Sequence, residues 1–67
     1  MIFLHINGER AELGQPMTIA ALLEERGLVG KRVAVERNGE IVPRSQHPIV
    51  AVEADDRIEI VVAVGGG

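Results

Sequence analysis

"RIEIVVAVGGG" (Arg57–Gly67) ends the chain, and its first eight residues decide how the rest is read. Ile58, Ile60, Val61, Val62 and Val64 make a nearly continuous β-branched run, the most apolar strand-like segment of the sequence. Such a run suits a strand with both sheet faces covered or partly covered, which places it centrally in a sheet. At the opposite end, "MIFLHI" (Met1–Ile6) is the second most apolar strand-like segment. The two are expected to lie side by side in the middle of the sheet. If they run the same way they form a parallel pair, and the sheet is mixed.

Between them the sequence reads as two hairpins flanking one helix. Asn7-Gly8 turns "MIFLHI" into a return strand, "ERAEL" (Glu9–Leu13); Asn38-Gly39 does the same for Val33 and Val35 and a short return strand at Ile41-Val42, which Pro43 ends. Asn-Gly is a strong hairpin signal, because both central positions of a type I′ turn require positive φ. In "TIAALLEERG" (Thr18–Gly27), Thr18 is placed to cap a helix. Ile19, Leu22, Leu23 and Arg26 fall on one side at helical spacing, the first three apolar, and Gly27 fits the left-handed position after the last turn. A helix of about nine residues is too short to stand alone and needs a sheet to pack on. "RSQHPIVAVEADD" (Arg44–Asp56) is less regular, with room for a turn, a short edge strand near Ile49–Val52 and a polar turn at Asp55-Asp56. The fold class expected is α+β: a mixed sheet of four to five strands packed on one helix, the β-grasp or ubiquitin-like layout. Residues 1–64 form the domain and residues 65–67 a flexible glycine tail.

Composition narrows the function. Sixty-seven residues make one domain with a small core, since a chain of this size buries only about 60% of its unfolded surface. Apolar residues reach 46% with Phe3 the only aromatic, so Val, Ile and Leu must build that core. The net charge of −3, with no basic block, argues against nucleic-acid binding. The absence of cysteine excludes disulfides, thiol nucleophiles and cysteine-based metal sites. No signal-peptide pattern opens the chain, and no apolar run approaches the roughly 18 residues of a membrane span, so the expected location is cytoplasmic.

Side-chain chemistry is sparse. His5 and His47 have no partners at metal-ligand spacing; His5 reads as a sheet-face residue and His47 as packing a turn. Glu53, Asp55 and Asp56 lack the pattern of a calcium loop and read as a solvated turn. No phosphate-binding loop is present. What remains is the α-carboxylate of Gly67. Gly65, Gly66 and Gly67 have no Cβ atoms, can thread a channel too narrow for other residues, and leave the terminal carbon unhindered. A carboxylate needs activation before a nucleophile attacks it, for instance as an acyl-adenylate. This chain binds no cofactor for that step, so ATP, Mg and catalytic residues would come from a partner. Glycines at a chain end are by themselves also what a frayed terminus looks like.

The whole chain resembles the ThiS family, the ubiquitin-like sulfur carrier proteins of thiamine biosynthesis. "VAVERNGEIVPRSQH" (Val33–His47) is similar to that family's internal strand, hairpin and V-P-R turn, and "EADDRIEIVVAVGGG" (Glu53–Gly67) to its acidic turn, last strand and glycine tail. The "INGE" hairpin and the "TIAALLEERG" helix also fit. Gly66 and Gly67 match the family's terminal pair; Gly65 is additional. The resemblance implies a protein cosubstrate, not an enzyme. A ThiF-like adenylyltransferase would use MgATP to adenylate the Gly67 carboxylate. A persulfide relay would supply sulfur, displacing AMP to leave a thiocarboxylate, and this would donate sulfur to a ThiG-like thiazole synthase.

The strand alternation suggests where such partners bind. Leu4, Ile6, Ile58, Ile60 and Val62 are expected to face the helix, leaving Phe3, His5, Val61 and Ala63 on the other face as an apolar docking patch close to the tail, rimmed by Arg37, Arg44 and Arg57. A one-residue register change would swap the faces. Other functions remain open: the small subunit of molybdopterin synthase, a carrier for another thiolation pathway, a ubiquitin-like modifier joined to lysines through Gly67, or an interaction module with an inert tail.

Overall fold

The computed structural model describes residues 1–63. β1 (Ile2–Ile6) and β2 (Glu9–Leu13) form the first hairpin, α1 (Ile19–Glu25) crosses the sheet, and β3 (Val33–Arg37) and β4 (Glu40–Val42) form the second hairpin. A 3₁₀ turn (Arg44–Gln46) and a loop lead into β5 (Arg57–Val62). The sheet order is β2-β1-β5-β3-β4, with β1 and β5 parallel and the other neighbours antiparallel. The last strand is therefore central, beside the first, and the sheet is mixed, but only one of its faces is covered: Ile58 and Ile60 are buried under the helix, whereas Arg57, Glu59 and Val61 on the other face are exposed.

Both Asn-Gly turns adopt the positive angles their sequence requires, φ 53° and 81° at Asn7-Gly8 and 53° and 86° at Asn38-Gly39. Each asparagine also holds β5. Asn7 Oδ1 accepts from the Ile60 N–H at 2.7 Å, and Asn38 Oδ1 accepts from the Arg57 N–H at 2.9 Å. Two local turn signals thus fasten the flanking hairpins to the central strand.

Thr18 caps α1, its hydroxyl accepting from the Ala21 N–H at 3.1 Å. The helix covers seven residues, not nine, and Arg26 is its exposed C-cap rather than part of the buried stripe. Gly27 follows in the left-handed region at φ 73°. Its N–H donates to the Glu24 carbonyl at 3.0 Å, and the Leu28 N–H donates to the Leu23 carbonyl at 2.8 Å. This double closure turns the chain sharply and sets Leu28 against Leu23.

Ile19, Leu22 and Leu23 from the helix pack on Leu4, Ile6, Val35, Val42, Ile58 and Ile60 from the sheet, with Leu13 and Val52 completing the core. Val62 is on the same face but only half-buried; β1 no longer flanks β5 there, its ladder having ended at Ile58.

The edge strand expected near Ile49–Val52 is absent. That segment makes a single bridge, Thr18 to Ala51. Its backbone is used by the helix start instead: the Val50 carbonyl accepts from the Ile19 N–H and the His47 carbonyl from the Ala20 N–H, each at 2.9 Å. The Val52 N–H donates to the Met17 carbonyl at 2.8 Å. Those first helical N–H groups have no partner within the helix, so the loop satisfies them rather than extending the sheet.

Candidate functional site

Gly65, Gly66 and Gly67, on which the sequence reading centred, lie outside the described residues. Their root does not. β5 is paired with β3 as far as Val33–Val62, and the Ala63 N–H donates to the Arg32 carbonyl at 2.9 Å. On the other side β1 ends earlier; its ladder to β5 stops at Ile6–Ile58, and Asn7 makes the last contact at Ile60. Among the described residues, Val61 to Ala63 are therefore held along one edge by β3. The tail starts from a backbone anchored to within one residue of Val64.

Phe3, His5, Val61 and Ala63 are all exposed and occupy the sheet face away from α1. The structure does not bring them together, however. Because β1 and β5 are parallel with His5 opposite Arg57, Phe3 and Val61 are offset by about 20 Å along the strands, at about 3.3 Å per residue. Between the two groups lie Arg57, and Glu59 directly opposite Glu36. Phe3 is covered by Arg10, whose guanidinium sits 4.4 Å above the ring centre. The single apolar docking patch expected from alternation is thus two separate ends, and only Val61 and Ala63 are near the tail.

The rim arginines also divide. Arg37 is engaged at the far end, its Nε donating to Asp56 Oδ2 at 2.7 Å and its Nη2 to Glu53 Oε2 at 3.0 Å. Asp56 is the hub there: it also accepts from Asn38 Nδ2 at 3.0 Å and from the Glu53 N–H at 2.7 Å. Burial alone would raise the Asp56 carboxyl, but the bonds from Arg37, the Glu53 N–H and Asn38 together hold it below the ordinary carboxylate range. In return Asp56, with a smaller contribution from Glu53, raises Arg37 above its ordinary value. This cluster fixes the entry into β5 and is structural in character. Arg57 is beside His5, far from the tail. Arg44 alone of the three is at the tail end.

What the sequence reading missed is a groove of about 620 Å³ beside the tail root. Leu23 and Leu28, brought together by the closure after α1, form part of its wall. Val29, Val33, Pro48 and the buried His47 continue it, and at the start of β3, where both Val33 and Ala34 line it, it reaches Val61 and Ala63 on the opposite sheet face, next to the tail. His47 is held by its Nε2, 3.1 Å from the Val42 carbonyl oxygen. Lys31, Arg32 and Arg44 stand around the mouth, exposed. The one available signal was the pair of basic residues Lys31-Arg32 just before β3. Its meaning depends on the 3₁₀ turn that carries Arg44 across to it. Among the described residues no three His, Asp or Glu side chains gather as metal ligands.

A thiazole synthase of Paramagnetospirillum magneticum is 52% identical over 64 residues, and one of Magnetococcus marinus 39% identical over 64 residues. Both alignments take in 96% of this chain but 20% of the relative, so the chain spans about a fifth of the length of the thiazole synthases it matches. The crystal structure of a thiamine biosynthesis protein (ThiS) from Geobacter metallireducens superimposes with a TM-score of 0.84 at 26% identity, covering 98% of this chain and 100% of that one. That likeness includes the single helix and five-stranded mixed sheet, a β-grasp fold. The sequence model of the ThiS family matches residues 4–67. With the match running from β1 through the glycine tail, the chain belongs to the ThiS family.

Proposed function

We propose that this chain is a sulfur carrier of thiamine biosynthesis, a protein cosubstrate whose reactive group is the Gly67 carboxylate. The observation that carries the reading is the extent of the family match: it includes Gly65, Gly66 and Gly67 rather than stopping at the end of β5. The chemistry of the chain supports it. With no cysteine anywhere, no side chain can carry sulfur as a persulfide, and the histidines are occupied as sheet-face and wall residues.

The reaction runs in balanced steps. A carboxylate oxygen of Gly67 attacks the α-phosphorus of ATP on a ThiF-like adenylyltransferase, and pyrophosphate leaves. The terminal sulfur of a persulfide on a relay protein attacks the acyl carbon, displacing AMP and forming an acyl disulfide. A second thiol attacks the relay sulfur of that bond, which leaves a disulfide on the relay and a thiocarboxylate on Gly67. The thiocarboxylate sulfur, unhindered by any Cβ, then bonds to an electrophilic carbon of the substrate held by a ThiG-like thiazole synthase. Attack of water on the resulting thioester breaks the acyl C–S bond, leaving the sulfur on the substrate as a thiol and restoring the Gly67 carboxylate. The chain contributes a rigid root and a slender terminus; ATP and Mg belong to the activating partner.

Intact-mass analysis after incubation with the cognate adenylyltransferase, MgATP and a sulfur source tests this. The carrier reading expects the mass difference of one sulfur replacing one oxygen, localised to the C-terminal fragment. Localisation matters because oxidation of Met1 or Met17 adds nearly the same mass. A product joined to a target lysine through Gly67, with no thiocarboxylate, would identify a protein modifier instead and refute the reading.

A further inference from the structure

We infer that the groove beside the tail root is a docking surface for the thiazole synthase, recognised through an apolar projection of that enzyme flanked by carboxylates. The inference rests on the carrier reading and deepens it by assigning the surface that reads the partner.

Charge provides the first argument. The chain is acidic overall, with ten carboxylate side chains against seven Lys and Arg. Yet three of those seven, Lys31, Arg32 and Arg44, line one groove, and no Asp or Glu lines it. All three are exposed. Among the described residues the only ion pairs are those of Arg37 at the other end of the sheet. A cationic mouth over an apolar wall of Leu28, Val29 and Val61 fits carboxylates around an apolar side chain. Val29 and Val61 are 69% and 61% exposed, so covering them removes apolar surface from water as the rim charges find partners.

Reach provides the second argument. Ala63 forms one side of the groove and is bonded to Arg32. Four residues separate it from the Gly67 terminus, and four residues extend at most about 14 Å. A catalytic centre that reacts with that terminus must lie within this distance of Ala63, so the body of the enzyme around the centre is pressed against the adjoining surface, which is the groove.

The commitment to thiazole synthase follows from the two relatives in which the unit matching this chain shares one polypeptide with an enzyme of that name. A shared chain keeps two parts at high effective concentration. That sharing marks thiazole synthase, rather than the activating enzyme, as the partner whose surface this unit meets.

The test uses the full chain and the thiazole synthase of the same organism, with binding titrated by calorimetry at low and at high salt. The Arg32→Glu/Arg44→Glu double variant is expected to bind at least tenfold more weakly and to lose most of the salt dependence seen for the wild type. Arg10→Glu, at the opposite end, is expected to bind as the wild type does. A chain lacking Gly66 and Gly67 is expected to retain salt-dependent binding. Melting of both charge variants within about 4 °C of wild type establishes that the surface changes leave the fold intact. Where one melts lower, the salt dependence of the wild type and of the tail-deleted chain decides. Double-variant binding within twofold of wild type, an equal loss in Arg10→Glu, or wild-type binding indifferent to salt would each overturn the inference. Thiocarboxylate formation on the wild-type chain is scored separately by mass. Its failure removes the carrier reading, whereas its success beside unaltered binding by the double variant removes only the groove.

Discussion

Replacing Asp56 with Asn should destabilise the domain by about 2–3 kcal/mol at neutral pH, and the size follows from geometry. Asp56 Oδ2 accepts from Arg37 Nε and the Glu53 N–H, each at 2.7 Å, while Oδ1 accepts from Asn38 Nδ2 at 3.0 Å. An asparagine can keep one oxygen in the Oδ2 position. Its amide nitrogen then takes the Oδ1 position and faces the Asn38 Nδ2 donor. Asn38 cannot turn its own amide over, because its Oδ1 is accepting from the Arg57 N–H. One bond is lost outright, at about 1 kcal/mol, and two lose the charge that roughly doubled their strength. A domain of this length has about 3–10 kcal/mol in all, and each kcal/mol moves its melting point by about 4–8 °C. The variant should therefore melt about 10–20 °C lower. Circular dichroism is the suitable probe, since the chain has no Trp or Tyr.

The pH dependence isolates the cause. The carboxyl of Asp56 lies below its ordinary value in the folded protein. A depressed carboxyl contributes stability that is fully present above the unfolded value of about 3.9 and is lost as pH falls through the folded value. The gap between wild type and Asp56→Asn should stay constant from about pH 5 to 8 and shrink below about pH 4. An unchanged urea midpoint at pH 7 would refute the reasoning. So would a gap as large in strong acid as at neutrality, which would place the loss in packing rather than charge.

Thr18→Ala should cost about 1 kcal/mol by orphaning the Ala21 N–H, and Thr18→Asp should retain the cap; thermal melts distinguish them. Gly39→Ala, at φ 86°, should lose about 1–2 kcal/mol to left-handed strain, while Gly14→Ala, with open space and no positive φ, should be neutral or slightly stabilising in the same assay. Deleting Gly66 and Gly67 should leave the melting point within about 2 °C, because no core side chain is removed. The same deletion should abolish the gain of sulfur in the mass assay.

Local chemistry made much of the fold legible. Asn7-Gly8, Asn38-Gly39, Thr18 and Gly27 specify their turns and caps through the φ angles and hydrogen bonds of a few neighbouring residues. The apolar run of β5 marked a central strand, although its outer face, with Glu59 and Val61, stands exposed. Apart from the length of α1, the failures are non-local. Residues 49–52 look like a strand, but whether their backbone joins the sheet depends on the unpaired N–H groups at the start of a helix some thirty residues earlier. The supposed patch of Phe3, His5, Val61 and Ala63 was drawn from alternation, which gives the face of a residue and not its height along the strand. Only the parallel register of His5 with Arg57 sets that height. The groove was hidden for the same reason, since Lys31-Arg32 and Arg44 belong to different turns that meet only when β3 and the 3₁₀ segment are packed.

The central claim is that the terminal carboxylate of Gly67 is the group that carries sulfur. The most direct measurement compares chemically assembled chains ending in a free acid or a carboxamide, in a reconstituted system containing the adenylyltransferase, MgATP, a sulfur donor and the thiazole synthase. The free acid should support thiazole formation stoichiometric with the thiocarboxylate consumed, and the carboxamide should support none while retaining the fold. Thiazole formation by the carboxamide at the rate of the free acid would contradict the account.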